Sequence, residues 1–180
     1  MTATARPRRT GFTLVELLVV IIILGVLAAI AVPQFGDSST DAKIAALDQN
    51  LAALRGAIEL YHHYHNGKYP GVVAQHRDTA SGGPAAHADA VDAFTKQLTM
   101  YSDAGGNTCA EKNSAFPYGP YLRTGVPKNP LPAASATDPG GVTVTADTTP
   151  LQADNSPTTG WKASSETGEI IANNSEYASR

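Results

Sequence analysis

Histidine is the residue type in this chain with the clearest capacity for chemistry, and three histidines, His62, His63 and His65, stand close together. Imidazole binds zinc and copper. Paired ligands on a helix are usually three or four positions apart, so only His62 and His65 would share a face. We therefore expect a solvated helix end, where a protonated imidazole interacts favourably with the helix dipole, instead of a metal site.

The remaining candidates for catalysis or cation binding are scattered. His76 and His87 lie apart from the other histidines, and we find no serine–histidine–aspartate set, phosphate-binding loop or spaced metal motif. Asp103, Asn107 and Glu111 could suggest a cation loop, but their spacing lacks the ligand set that calcium needs. The sequence therefore predicts that the protein is not an enzyme.

An apolar run from Phe12 to Val32 contains a single charged side chain, Glu16. As a helix it would be about 30 Å long, the thickness of a bilayer hydrocarbon core. Arginines without acidic residues precede the run, and positive charge in that position keeps the N-terminus in the cytoplasm. The run predicts one membrane-spanning helix. Its small residues near Ala31 could instead mimic a signal-peptide cleavage site, although the helical pattern continues past them.

Glu16 is costly within an apolar span unless it has a partner. No lysine or arginine lies near it on the same helix. If the chain were cut between Gly11 and Phe12, the new amino group at Phe12 would lie one helical turn from Glu16. It could pair with Glu16 of the same subunit or of a neighbouring one. The alternative is a tolerated charge near the membrane edge.

The motif Gly-Phe-Thr-Leu-Val-Glu at residues 11–16, followed by the apolar run and Pro33, resembles the N-terminal signature of type IV pilins and type II secretion pseudopilins. The resemblance implies that a prepilin peptidase cuts after Gly11 and methylates the new terminus at Phe12. It also implies that Glu16 registers subunits in a helical filament. A second motif, Asn-Gly-Lys-Tyr-Pro at residues 66–70, resembles the turn that ends the long helix of major pseudopilins.

The resemblance predicts an α+β protein with four parts. These are a leader (1–11), a transmembrane and filament-core helix (12–33), its amphipathic continuation (34–65) and a periplasmic or extracellular head (66–180). The implied partners are other copies of the chain, other pseudopilins, the prepilin peptidase and an inner-membrane assembly platform. The implied location is the inner membrane, crossed once with the N-terminus in the cytoplasm.

Two functions fit this family. The first is a major (G-type) pseudopilin of type II secretion, and the second is a type IV pilin for adhesion, motility or DNA uptake. Many type IV pilins close a C-terminal loop with a disulfide, whereas Cys109 is the single cysteine of this chain, which favours the pseudopilin. A membrane-anchored enzyme or binding module is the alternative of another class. The net charge of −3, which becomes more negative without the leader arginines, argues against nucleic-acid binding.

Hydrophobic spacing predicts the helices. Pro33 should kink or break the first helix, and the polar stretch 36–41 should be a weak spot. Apolar residues then recur every three or four positions, predicting an amphipathic helix from about Asp41 to about His65. A second helix is expected from about Ala86 to Ser102, with its apolar stripe against the first.

The rest of the head is expected to be extended chain and sheet. Prolines between 116 and 131 exclude regular helix, and the aromatic residues there should pack on the helices. This run could instead be a peptide ligand. Residues 142–145, 161–164 and 169–172 predict a small antiparallel sheet with long loops. Major pseudopilins hold Ca²⁺ in a C-terminal loop, and the candidate ligands here are Asp138, Asp147 and Asp154, although no motif aligns them.

Overall fold

In a computed structural model, the described residues are 12–72, 74–79, 83 and 85–180, with the backbone alone for residues 29–38. The leader, including Gly11 of the predicted cleavage site, lies outside the described residues. The chain divides into two compact units, Met1–Ala42 and Lys43–Arg180. The described part has an α+β architecture of two helices and seven strands.

Helix α1 runs without interruption from Leu14 to Tyr64. The expected weak spot at residues 36–41 is therefore wrong, because the backbone stays helical through it and through Pro33. Proline removes one helical hydrogen bond, and the bonds on either side of it suffice to continue the helix. A kink at Pro33 stays a prediction. Within the described residues, no helix is both long and apolar enough for a membrane crossing.

The end of α1 lies where the Asn-Gly motif predicts. Asn66 and Gly67 adopt left-handed conformations, with φ of 55° and 74°. The Gly67 amide donates to the His62 carbonyl at 3.1 Å, and the His65 amide donates to the Tyr61 carbonyl at 3.0 Å. These bonds satisfy carbonyls of the last helical turn, which is how glycine and asparagine terminate helices.

Within the unit Lys43–Arg180, the apolar stripe of α1 is buried as its spacing predicts. Helix α2, Ala90–Thr99, packs Phe94 and Leu98 into the same cluster. The core members contributed by α1 are Leu47, Leu51, Leu54, Ala57, Ile58 and Tyr61.

Helix α2 is shorter at both ends than the sequence predicts. Asp89 caps its start, accepting a hydrogen bond from the Asp92 amide, so residues before it are not helical. At the other end Met100 is extended, and Tyr101 and Ser102 form a strand. The carbonyl of Leu98 accepts hydrogen bonds from the amides of Tyr121 and Leu122 at 2.9 and 2.8 Å. The helix therefore stops where the extended chain supplies donors.

A small four-stranded sheet occupies the region that the sequence assigns largely to loop. Its strands are β1 (Gln75–Arg77), β2 (Ala85–Ala86), β3 (Tyr101–Ser102) and β4 (Thr108–Cys109), in the order β2-β1-β4-β3. Only β1 and β4 are parallel. Strands of two or three residues are too short to show the alternation that identifies a strand in a sequence.

The C-terminal sheet has the three predicted strands, β5 (Asp138–Thr145), β6 (Thr159–Ser164) and β7 (Ile170–Ala172). The expectation of an antiparallel sheet is wrong for one pair, because β5 and β6 are parallel whereas β6 and β7 are antiparallel. Parallel neighbours need a long crossover, and residues 146–158 supply it. The low-complexity sequence of this loop does not indicate whether it returns the chain as a hairpin, which gives antiparallel strands, or as a crossover, which gives parallel ones.

The proline-rich segment, residues 116–131, contains no helix, as predicted, and it packs on the core. Tyr121 and Leu122 lie against the buried cluster, and Phe116 is buried. The side chain of Asn129 donates to the Gly160 carbonyl at 2.8 Å, and the indole of Trp161 donates to the Pro127 carbonyl at 2.7 Å. These bonds attach the segment to β6.

Gln97 joins three segments of the head from a fully buried position on α2. Its side-chain oxygen accepts from the Gly71 amide at 2.9 Å, and its nitrogen donates to the carbonyls of Val72 and Gly106, both at 3.0 Å. Buried backbone groups that lose such partners cost free energy.

We predict that Gln97→Met lowers the free energy of unfolding by about 2–4 kcal/mol, because the buried Gly71 amide and Gly106 carbonyl and the part-buried Val72 carbonyl lose their partner. The matched control is Gln49→Met on the exposed face of α1, where methionine and glutamine have similar helix propensity. Urea unfolding followed by fluorescence of Trp161, the single tryptophan, measures both. Equal stability of the two variants would contradict the role of Gln97.

Candidate assembly site at the start of the first helix

Thr13 and Glu16 form a reciprocal cap at the first turn of α1. The Glu16 carboxylate accepts from the Thr13 amide at 2.8 Å and from the Thr13 hydroxyl at 2.7 Å. The Glu16 amide donates to the Thr13 hydroxyl oxygen at 3.2 Å. This is a capping box, in which an N-cap threonine and the third helical residue satisfy each other's free backbone donors.

The cap gives Glu16 a partner within its own chain. It turns the carboxylate back toward the helix start, next to Phe12, which is 75% exposed. Negative charge is also favoured there by the helix dipole. The role of Thr13 was not predicted from the sequence, although a threonine three residues before a glutamate and ahead of an apolar run is a recognised signal of a helix N-terminus. An amino group at Phe12 would lie beside an already positioned carboxylate.

Behind the cap, α1 is apolar on every side. Each large apolar residue from Leu14 to Leu27 exposes at least 45% of its surface. A helix that is hydrophobic all round is stable only when another apolar phase or other helices cover it. The structure thus places one oriented carboxylate at the start of a helical segment whose apolar side chains are exposed on all sides.

Two of the four predicted site residues, Phe12 and Glu16, lie together in this site. Gly11 lies outside the described residues. Pro33 lies within α1, and its side chain is among those not described. The cleavage, the methylation and the registering role therefore stay predictions.

The histidines near the end of α1 have three different environments. His62 stacks on Tyr69 with ring centroids 4.2 Å apart, and His63 is exposed. His65 is fully buried and stacks on Tyr61 at 3.7 Å. The expectation of a solvated helix end is therefore wrong for His65, whose ring fills the space between α1 and β3.

The hydrogen bonds of His65 identify the tautomer of its neutral ring. Its Nδ1 lies 2.7 Å from the Tyr61 carbonyl oxygen, which can only accept, so Nδ1 carries the proton. Its Nε2 lies 3.0 Å from the Ser102 hydroxyl, and in this neutral tautomer it accepts a hydrogen bond from that hydroxyl. Burial lowers the pKa of His65 below its usual 6.5, against the opposing effects of the Tyr61 carbonyl and the Asp103 charge.

The structure also brings together a threonine–histidine–aspartate set that the sequence did not reveal. His87 Nδ1 lies 3.1 Å from the Asp92 carboxylate, and His87 Nε2 lies 3.4 Å from the Thr108 hydroxyl. Thr108 is fully buried, where its hydroxyl cannot meet a substrate. The set joins the start of α2 to β4. Burial lowers the pKa of His87 against the effect of Asp92.

The predicted cation-binding residues act as ordinary turn and loop partners. Asp103 accepts from the amides of Gly105 and Asn107 at 2.8 and 3.0 Å. Asp154 pairs with Lys162 at 2.7 Å. Across the described part of the chain, histidine, cysteine and acidic residues form no group of three suited to a metal ion.

Part of the chain is similar to known proteins. A family model described as the prokaryotic N-terminal methylation motif matches residues 6–32, which contain Glu16 and the whole apolar run from Phe12 to Val32. This part of the chain is thus similar to the N-terminal segment of pilin-like proteins that carry the methylation motif.

The similar curated proteins include both branches of that class. The chain is 39% identical over 56 residues to the type II secretion system core protein G of Pseudomonas aeruginosa, covering 31% of this chain and 39% of the relative. It is 43% identical over 63 residues to core protein G of Klebsiella pneumoniae, covering 35% and 44%. It is 52% identical over 50 residues to the type IV narrow pilus major component of Thermus thermophilus, covering 28% and 43%.

These matches span less than half the length of the curated relatives. No solved structure matches the chain. The family model covers the N-terminal segment alone, so the head is described from its own contacts.

We predict that acid destabilises the head because of His65 and His87. Above both pKa values each ring is neutral in the folded and unfolded chain. As the pH falls below 6.5, the unfolded chain takes up protons that the folded rings resist, so the free energy of unfolding decreases until the lowered folded pKa is passed. Urea unfolding between about pH 7.5 and 5.5, above the carboxylate range, measures this decrease.

His65→Gln should reduce the dependence on pH, whatever it does to stability at neutral pH. His63→Gln, at the exposed neighbouring position, should leave the dependence unchanged. An unfolding free energy that rises toward acid pH, or one with the same slope in His65→Gln, would contradict the assignment.

Proposed function

We propose that this chain is a major pseudopilin, a structural subunit of the filament that drives type II protein secretion. The observation that carries the proposal is the capped Glu16 beside Phe12, at the start of a helix whose segment from Leu14 to Leu27 exposes apolar side chains on all sides. A carboxylate held at this point is suited to recognise an amino terminus, and the bare helix surface is suited to packing among copies of itself.

The chain would be made as a precursor in the inner membrane, with residues 1–11 in the cytoplasm and the head on the other side. A prepilin peptidase would cut after Gly11 and methylate Phe12. The mature subunit would then leave the membrane through an assembly platform and join a helical filament with other pseudopilins. Neither an enzymatic activity nor nucleic-acid binding is part of the proposal.

The physical basis of assembly is a transfer between two apolar phases. During assembly the helix of residues 12–33 would leave the lipid and pack against the same helix of neighbouring subunits. Because both surroundings are apolar, the free energy of its apolar side chains would change little. The Glu16 carboxylate is different, because a charge within the bilayer costs about 2.5–3.5 kcal/mol on insertion scales. The hydrogen bonds from Thr13 reduce that cost while the subunit is still in the membrane. In the filament, the amino terminus of a neighbouring subunit would reduce it further.

The choice of secretion over a pilus is supported by the way the head holds its C-terminal segment. Cys109 is free and buried. In place of a disulfide, Arg180 pairs with Asp48 at 2.9 Å, and Arg55 donates to the carbonyls of Ile170 and Arg180 at 3.3 and 2.5 Å. The second candidate, a type IV pilin, is favoured by the similarity to the Thermus thermophilus pilus component.

We predict that Glu16→Leu is processed normally but fails to enter filaments, because the neighbour's amino terminus loses its partner. Glu16→Gln keeps an oxygen for the Thr13 cap but loses the charge, so it should assemble poorly as well. The matched control is Glu59→Leu on the exposed part of α1, which should assemble like the unmodified chain. Electron microscopy of filaments sheared from cells, with immunoblots of filament and membrane fractions, measures all four chains.

Abundant filaments of Glu16→Leu would contradict the registering role. Deleting the gene then separates the two branches. Loss of exported proteins from the medium, with surface pili intact, supports the pseudopilin, and loss of pili with normal export supports the pilin.

A further inference from the structure

The crossover between β5 and β6, residues 146–158, lies on the outer face of the C-terminal sheet. Along β6, Trp161 and Ala163 belong to the core cluster. Side chains alternate along a strand, so Lys162 and Ser164 lie on the opposite face. Both of these side chains contact the crossover, which therefore covers the face away from the core.

Three of the attachments of the crossover involve Asp147, Leu151 and Asp154. The Ser164 hydroxyl donates to the Asp147 carbonyl at 2.7 Å. The Leu151 amide donates to the Glu169 carboxylate at 2.9 Å. The third attachment is a cluster of Asp154, Lys162 and Asn173. Of these three attachments, it is the one that contains a salt bridge.

In that cluster both carboxylate oxygens of Asp154 are occupied. Oδ1 accepts from Lys162 Nζ at 2.7 Å, and Oδ2 accepts from Asn173 Nδ2 at 3.0 Å. The Asp154 amide donates to Asn173 Oδ1 at 2.9 Å. Lys162 is 13% exposed, and Asn173 is fully buried. The hydrogen bond from Lys162 lowers the pKa of the Asp154 carboxyl, so Asp154 is charged at neutral pH.

This arrangement does not fit calcium. Calcium takes six to eight oxygen ligands, including carboxylates free to coordinate it. The Asp154 oxygens already bind an ammonium and an amide, and Asp147 contributes its backbone carbonyl to Ser164. Asp138 accepts from the Gly140 amide at 3.1 Å in a turn at the start of β5. A metal ion would also be repelled by Lys162 at the centre of the cluster.

We propose that the Lys162 ammonium performs for this loop the structural role that a bound calcium ion would otherwise have. A cation covalently attached to β6 neutralises Asp154 and fixes the crossover onto the sheet. The parallel pairing of β5 and β6 depends on the crossover, so the ion pair stabilises the whole C-terminal sheet. The head of this chain is accordingly stable without calcium, whichever filament it serves.

Thermal unfolding of the full chain in dodecyl maltoside, followed by Trp161 fluorescence, tests the proposal, because Trp161 lies beside Lys162 on β6. The unfolding midpoint should be the same with about 5 mM calcium chloride as with EGTA. Lys162→Met should lower the midpoint by roughly 3–6 °C in both conditions. Lys162→Arg keeps the charge and should retain most of the stability, and Lys112→Met, at an exposed loop lysine, should behave like the unmodified chain.

A midpoint that rises with calcium in the unmodified chain would overturn the proposal, and so would a Lys162→Met variant as stable as Lys112→Met. If Lys162→Met does not fold, Asp154→Asn serves in its place, because it removes the charge while retaining one acceptor oxygen. Calorimetric titration of the unmodified chain with calcium chloride gives an independent result. The absence of millimolar or tighter binding supports the proposal, and a saturating heat contradicts it.

Discussion

A carboxylate at the start of an apolar helix needs a partner, and much of what this protein can do follows from how Glu16 obtains one. In the single chain the partner is Thr13, whose amide and hydroxyl both donate to Glu16. The cap lets one charge reside next to a long apolar surface at reduced cost. It also holds that charge at the end of the helix where a cleaved amino terminus would lie. The same few atoms thus serve helix initiation and, in the proposed function, subunit recognition.

The rest of α1 shows how one helix can meet two different demands. Up to Leu27 its large side chains are exposed on all sides, as packing among lipids or like helices requires. From Leu47 onward only one stripe is apolar, and it is buried with α2 and the C-terminal sheet. The head adds attachments that do not rely on a disulfide, with Gln97, Asn129 and the Asp154–Lys162 pair each joining segments distant in the sequence.

The sequence was informative where a pattern repeats or a motif is local. Three features were predictable because hydrophobic periodicity and turn-forming residues depend only on neighbours in the sequence. They are the apolar stripe from Leu47 to Tyr61, the Asn-Gly helix end and the three C-terminal strands. The cap of Thr13 on Glu16 was equally local and could have been found. The parallel direction of β5 was not predictable, because it depends on the path of a low-complexity loop. The burial of His65 against Ser102, and the meeting of His87 with Thr108, depend on contacts between distant residues that no spacing reveals.

The proposed role of Glu16 and Phe12 depends first on cleavage after Gly11, which the intact mass of the protein from membranes of cells with and without a prepilin peptidase reveals. We expect the peptidase to remove Met1–Gly11 and to leave one added methyl group on the new terminus at Phe12, with the full precursor in cells that lack the enzyme. An uncut chain in both strains would contradict the proposed role and leave a plain membrane anchor. A cut after Ala31 would contradict it as well, because it would remove Glu16 and release the remainder of the chain as a secreted protein.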